Sequence, residues 1–462
     1  MFLQNGKALE IAVEKQTLQY DGFAFEGDKR AAKKKNLLYG AGKNCAVKNA
    51  ALEHGVGIQA FMVNGNELRV LDAEYLPYQF FYVWEKKDGG KYVATPAYTT
   101  RNGDFYILRE GVYWEHMRTF GASTYAFTTF GEDGALQTAL VGAAGLYSYS
   151  SEEGLQSSVL DRTTRAGCSF MGRTFCAVAP STLVFSSPFA PRDFSNSLNG
   201  GGTIGLLSDK GEVVALVPLE DKIYIFQEFG ICVLTPAGAA REFVIQTIDY
   251  AGGRILEGGV GACAVEGAKA FFLAEDGVYE FDGKRVKKTC ENLEVLPKRG
   301  GQVCVHAVFE GKYYVRFLDD KNEERLLVLD GASGEGYYAF VPTVLGTHAD
   351  GVACVCGVMV YRLREGKRLP ENEVARFAVR GLEFGKRGVK CLERLTFYGC
   401  GNASITVGNG KKSKRFFVEL AEGGKVMKPF LRGRRFSLEI ELEIGAKITG
   451  VAAETATVSG VK

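Results

Sequence analysis

No uninterrupted apolar run approaches the roughly 18 residues that a membrane-spanning helix requires. The opening residues, Met1-Phe2-Leu3-Gln4-Asn5-Gly6, lack the basic start and apolar core of a secretory signal. These absences predict a soluble chain, synthesised in the cytoplasm and making no stable membrane insertion. Metal-binding patterns are equally scarce. The four histidines (His54, His116, His306 and His348) are far apart, and the 11 cysteines form no C-x-x-C pair. A zinc site needs clustered ligands, so no metal is expected. The tightest cysteine spacing, Cys354-Val355-Cys356, would set two thiols on one face of a strand. Cys176, Cys232, Cys263 and Cys304 sit among apolar neighbours and read as small buried hydrophobes in a reducing compartment.

Catalytic signatures are missing too. There is no G-x-S-x-G elbow and no H-E-x-x-H. Gly259-Val260-Gly261-Ala262-Cys263-Ala264 fits the G-x-G-x-x-A of a dinucleotide loop, which must open a helix. The following Val265-Glu266-Gly267-Ala268-Lys269 is too short and glycine-interrupted to be one. Gly40-Ala41-Gly42-Lys43-Asn44 has the Gly-Lys of a phosphate loop. Leu37 stands where its first glycine belongs, however, and Asn44 where a magnesium-binding Ser or Thr belongs. No catalytic residue and no cofactor are assigned, and the chain is read as a non-enzyme. A glycosidase-type carboxylate pair is defined by spatial separation, which a sequence does not display.

What the chain has in abundance is turn and strand material: 58 glycines, 31 phenylalanines and 21 tyrosines. At 462 residues it is long enough for two or three domains, and at 46% hydrophobic and 24% charged it is an ordinary globular composition. From about Val63 to Arg364 it reads as a succession of hairpins. Phe80-Phe81-Tyr82-Val83-Trp84 runs into Asp88-Gly89-Gly90 and returns as Tyr92-Val93-Ala94, a strong hairpin signal. Lys312 to Phe317 returns through Asp319-Asp320-Lys321-Asn322 as Arg325 to Leu329, and Val352 to Cys356 returns through Gly357.

Three hairpins share a turn pattern with Glu and Gly: Leu108 to Tyr113, Gln227 to Cys232 and Ala274 to Tyr279. A weaker fourth is Ser151 to Leu155. Gly230 and Gly277 are 47 residues apart, and Gly111 and Gly154 are 43 apart, which is the length of a four-stranded propeller blade. Gly154 to Gly230 is 76 residues, neither one blade nor two, so the count stays open between five and eight. The fold class is all-β, an irregular β-propeller over 61–365, preferred to a pair of β-sandwiches. Residues 1–60 read as an N-terminal arm with the first strands, Lys43 to Lys48 and Gly55 to Ile58. The basic stretch Asp28 to Lys35 reads as an exposed arm or loop.

A polar stretch closed by Pro370 reads as a linker. Beyond it, 375–462 alternates with period two, as in Phe436-Ser437-Leu438-Glu439-Ile440-Glu441-Leu442, and reads as a C-terminal antiparallel β-sandwich. This end is basic. Tyr361 to Lys462 carries 21 Lys and Arg against 11 Asp and Glu, whereas the preceding residues carry 35 against 43. The charge concentrates at Lys411, Lys412, Lys414, Arg432, Arg434 and Arg435, the candidate DNA- or partner-facing loops. A basic edge that merely discourages strand-to-strand aggregation would look the same.

The order of motifs adds a resemblance. Gly172 to Val178 is followed by Leu183-Val184-Phe185-Ser186-Ser187-Pro188 and then Ala190-Pro191-Arg192-Asp193-Phe194. After these come Val214 to Phe226, with Glu220-Asp221, and Phe271 to Gly283, with Asp276-Gly277-Val278-Tyr279. This succession resembles the β-propeller proteins of tailed-bacteriophage tails, the hub, nozzle or packaged-DNA-stabilisation proteins, and Lys390 to Val451 resembles the sandwich that often follows. The resemblance covers about Gly172 to Gly283 and the C-terminal run; it hardly touches the N-terminal third. It implies a structural virion protein of the tail or neck, synthesised in the host cytoplasm. It also implies a homo-oligomeric, hexameric ring below the portal, in contact with other tail or head–tail connector subunits and, non-specifically, with DNA. The rival reading is a carbohydrate-binding or carbohydrate-cleaving propeller. Exposed tryptophan platforms would favour it, but only Trp84 and Trp114 exist, both in apolar hairpins.

Overall fold

The computed structural model describes residues 3–4, 7–8, 12–26, 36–71, 77–87, 89–122, 124–157, 160, 163–178, 181–195, 200–236, 242–263, 269–290, 295–348, 351–384 and 388–459. The basic stretch from Asp28 to Lys35 and the turn residue Asp88 lie outside them. Among the described residues the only helical segments are two short 3-10 turns, Glu132–Gly134 and Ser208–Lys210; everything else regular is strand.

Seven antiparallel four-stranded sheets form the body. Six are consecutive in the chain, over 77–119, 124–157, 164–205, 213–248, 255–289 and 305–339, and are numbered here as blades 1 to 6. Blade 7 takes Val344–His348, Gly351–Cys356 and Met359–Glu365 from late in the chain and its outermost strand, Val56–Ala60, from early in it. Tyr361 pairs with Ala60 and Glu365 with Val56. This pairing between distant segments closes the ring of blades.

The blades explain two sequence patterns. A middle strand is packed on both faces by neighbouring blades, so it reads as an apolar run: Arg173–Val178 is buried throughout, and Lys269–Ala274 after its first residue. Outer strands such as Tyr113–Thr119 and Val244–Ile248 are largely exposed and mixed in composition. The 76-residue interval also resolves. Gly230 and Gly277 follow the second strand of blades 4 and 5, whereas Gly111 and Gly154 follow the third strand of blades 1 and 2. Two different corners of the blade carry the same turn chemistry.

Apart from two short two-stranded pairs, Leu3–Gln4 with Lys7–Ala8 and Met62–Val63 with Asn66–Glu67, the remaining strands make one nearly closed sheet. Its order is Phe23–Phe25, Leu38–Lys43, Ala375–Leu382, Phe436–Leu442, Lys390–Gly408, Lys447–Ser459, Ala51–His54 and Cys45–Lys48. Phe23 N–H donates to Ala50 O at 2.8 Å, bridging the two ends of that order. The 19-residue strand Lys390–Gly408 pairs with Lys447–Ser459 through its first half and with Phe436–Leu442 through its second. Gly399 and Gly401, both at positive φ, stand where it changes partner. Ala12–Tyr20 adds to the outside of Lys447–Ser459.

The expectation of a sandwich built from 375 onward alone needs correction, because N-terminal strands supply part of it. Phe23 and Phe25 pack their rings against Phe377, with centroids 5.4 and 6.1 Å apart, covering an apolar face the C-terminal strands leave open. Likewise the strand Val56–Ala60, placed by sequence with the N-terminal arm, is part of the propeller.

Candidate functional site

The six basic residues singled out from the sequence are all exposed, and the fold gathers them at one end of the C-terminal sheet. Ser413–Leu420 and Leu431–Gly433 both pair with Lys390–Gly408, along its second and first halves respectively. Asn409 ties the two basic loops together: its Oδ1 accepts from the amides of Lys411 (2.9 Å) and Lys412 (2.7 Å), and its Nδ2 donates to Arg432 O at 2.9 Å. Cys391 stands opposite Arg432 in the ladder, and its thiol is raised on balance. Burial and Glu393 push its thiol up, while Arg432 and Lys414 pull it down.

Five of the six, Lys411, Lys412, Lys414, Arg432 and Arg434, form no ion pair among the described residues; Arg435 donates from Nε to Glu383 at 2.8 Å. Neighbouring strands do carry matched pairs, Arg376 with Glu439 and Arg415 with Glu441. Beside the basic turn, Arg415 lies over the ring of Phe417, which is 80% exposed. The outer edge of Ser413–Leu420 has no strand partner among the described residues. The end therefore presents free positive charge, an exposed aromatic ring and an open strand edge.

A second place was invisible in sequence. The innermost strands of all seven blades line one cavity of about 360 Å³. Most of its wall is apolar, with Phe80, Phe127, Val260 and Leu345 among the lining residues. Its polar groups come from different blades. Tyr78 and Tyr125 join hydroxyl to hydroxyl at 3.2 Å, and Tyr125 Oη–H donates to Glu257 Oε1 at 3.4 Å. Arg165 pairs with Glu212 at 2.5 Å, and Arg254 with Glu228, in an adjoining cavity of about 200 Å³ that shares Arg165 and Glu257. His306 is bonded through Nδ1 to the Gly258 carbonyl at 2.8 Å, and burial lowers its pKa, which keeps the ring neutral.

The described part of the rejected glycine motif, Gly259 to Cys263, runs along this wall, with Val260 and Ala262 lining the cavity. Gly261 belongs to the inner strand Ile255–Cys263, and a Cβ there would meet Val308 at 2.6 Å and His306 at 2.8 Å. Its glycine serves the close approach of blades 5 and 6, not a phosphate. Both tryptophans are hydrogen-bonded into the body, Trp84 to Thr128 Oγ1 and Trp114 to Arg69 O.

No family model and no curated protein matches the chain. Among solved structures, it is similar to selenomethionine-substituted virginiamycin B lyase from Staphylococcus aureus at 9% identity and a TM-score of 0.46, over 67% of this chain and 99% of that one. It is also similar to apo AztD from Citrobacter koseri at 12% identity and a TM-score of 0.33, over 69% and 88% of the two chains. The computationally designed Ika8 protein gives 9% identity and a TM-score of 0.37, over 64% and 98%. The seven-bladed arrangement itself is read from this chain's own strand pairing, and it makes the protein an all-β propeller with an appended, nearly closed sheet.

Proposed function

We propose that the protein is a structural, non-enzymatic subunit of a bacteriophage tail or neck, a hub or nozzle ring below the portal that helps to form or close the DNA channel. It would act in the virion after synthesis in the host cytoplasm, beside other tail or head–tail connector subunits. The observation that carries the reading is the gathering of Lys411, Lys412, Lys414, Arg432, Arg434 and Arg435 on one end of a chain whose first 360 residues are net acidic. A basic end meeting the acidic body of the next copy is a heterologous contact, the kind that closes into a ring. The same end suits a DNA path, where each neutralised phosphate releases a counterion. The order of motifs from Gly172 to Gly283 supports the phage assignment; the hexameric copy number comes from that resemblance alone.

The test is reversal of all six charges to Glu. Oligomer size by analytical ultracentrifugation and retention of duplex DNA should both fall, as they should for the unaltered protein when salt is raised. Circular dichroism should not change, because exposed charges contribute little to stability. A reversed protein that assembles and holds DNA as well as the original would make the basic end ordinary surface and sink the proposal.

A further inference from the structure

The axial cavity has the properties of a ligand site, and its chemistry selects a class. At about 360 Å³ it falls inside the range of small-molecule pockets, roughly 300–1,000 Å³, and it has the mostly apolar wall with a few convergent polar groups that such pockets share. The charges on its wall and in the adjoining cavity do not cancel. Arg165 is matched by Glu212 and Arg254 by Glu228, while His306 is neutral. Glu257 is left over. It has no cationic partner among the described residues, and its carboxylate accepts one long hydrogen bond, from Tyr125.

Two aromatic rings accompany that carboxylate. Tyr78 and Tyr125 stand edge to face with centroids 6.2 Å apart, linked through their hydroxyls to Glu257. A carboxylate in a mostly apolar pocket attracts an ammonium group by charge, and a ring that turns its face to the bound cation adds the pull of its quadrupole. A bare metal ion fits poorly, since no group of three or more His, Cys, Asp and Glu side chains suited to one exists among the described residues.

We infer that the axial cavity binds a small organic cation, an ammonium head on a short apolar body, with Glu257 as its counter-ion and Tyr78 and Tyr125 as its aromatic partners. The inference is independent of the basic end and of any virion role. The site draws on blades 1, 2 and 5, so it exists only when the ring of blades is complete.

Isothermal titration of the full chain with n-butylammonium chloride, butan-1-ol and sodium butyrate tests it. The ammonium should bind saturably and at least about tenfold more tightly than the alcohol of similar shape, a difference of about 1.4 kcal/mol. Glu257→Gln, which keeps the side chain's size and removes its charge, should abolish that preference. Equal binding of ammonium and alcohol, no saturable binding of the ammonium, or unchanged preference in E257Q would each overturn the inference. Saturable binding of butyrate in place of the ammonium would also overturn it and make Arg165 the group that reads the ligand. The comparison of ammonium and alcohol uses the unaltered protein, so it decides the matter even if E257Q folds poorly.

Discussion

Asp319 shows how much one carboxylate can organise. It is buried at the end of the hairpin that Asp319-Asp320-Lys321-Asn322 announces. Its Oδ1 accepts from the amides of Lys321 (2.9 Å) and Glu323 (2.8 Å), and its Oδ2 from Arg325 Nε at 2.9 Å. Burial pushes its pKa up, but the Glu323 amide and Arg325 outweigh it, so the folded value lies below the ordinary one. Asp319→Ala should cost about 1–2 kcal/mol near neutral pH, because it removes the acceptor of three part-buried donors; Asp319→Asn should cost less. A depressed carboxylate stabilises above its unfolded value of about 3.9 and stops doing so as pH falls through the folded value, so urea midpoints of wild type and D319A should converge in strong acid. A gap that persisted there would assign the loss to packing. The cysteines give a second check. Burial raises Cys45 to about 12 and pushes Cys168, Cys176 and Cys304 further still, whereas Cys400 is exposed. In the native protein iodoacetamide should label Cys400 first and leave these four untouched until unfolding, read by mass spectrometry of the digest.

Between elements, Glu365 ends the third strand of blade 7 and binds two others. Lys312 of blade 6 reaches it at 2.6 Å and Lys48 of the strand Cys45–Lys48 at 2.8 Å, so one carboxylate links two blades and the C-terminal sheet. Burial raises its pKa and the two lysines more than reverse that, leaving it lowered. The triad is partly exposed, so Glu365→Gln should cost only about 1 kcal/mol. That contribution is present above the unfolded Glu value of about 4.3 and is lost as pH falls through the folded value, which urea melts of the two proteins across acid pH would detect. A carboxylate that collects lysines from distant segments has no mark in sequence, and the same limit governs the fold. Hairpins such as Lys312–Leu318 with Glu324–Asp330 were legible because Asp and Asn turns separate two apolar runs. The blade count was not legible. The recurrent Glu-Gly turn marks different corners in different blades, and blade 7 is completed by Val56–Ala60, some 300 residues before its neighbour Met359–Glu365. The six basic side chains are exposed, as closely spaced charges in a sequence suggest, although Lys414 and Arg432 lie within strands and not in loops. Tyr78, Tyr125 and Glu257 meet only through the ring of blades, and no local pattern picks them out from other Tyr and Glu.

Taken whole, the molecule pairs segments from both ends of its length in both of its parts, and this decides how it should unfold. Chains of this size often divide into separately melting domains. Here one continuous core contains Val328, Leu345 and Cys354 of blades 6 and 7 together with Phe377, Ile405 and Leu438 of the C-terminal sheet. The polar seam is tight as well: the Val56 amide donates to Tyr337 Oη at 2.9 Å, and the Asn44 amide to Tyr338 O at 2.8 Å. The short connection from Ala51–His54 to Val56–Ala60 carries the chain directly from the sheet into blade 7. Loosening the sheet would therefore free the strand that closes the propeller, and opening the propeller would strip cover from the sheet. Calorimetry should show one transition, with van't Hoff and calorimetric enthalpies in agreement. A chain ending before Ala375 loses the antiparallel partner of Leu38–Lys43 and the partner of Ala12–Tyr20, so it should melt well below the full-length protein or fail to fold. Two resolved transitions, or a truncated chain whose propeller melts where the intact one does, would show instead that the closing strand holds without the sheet behind it.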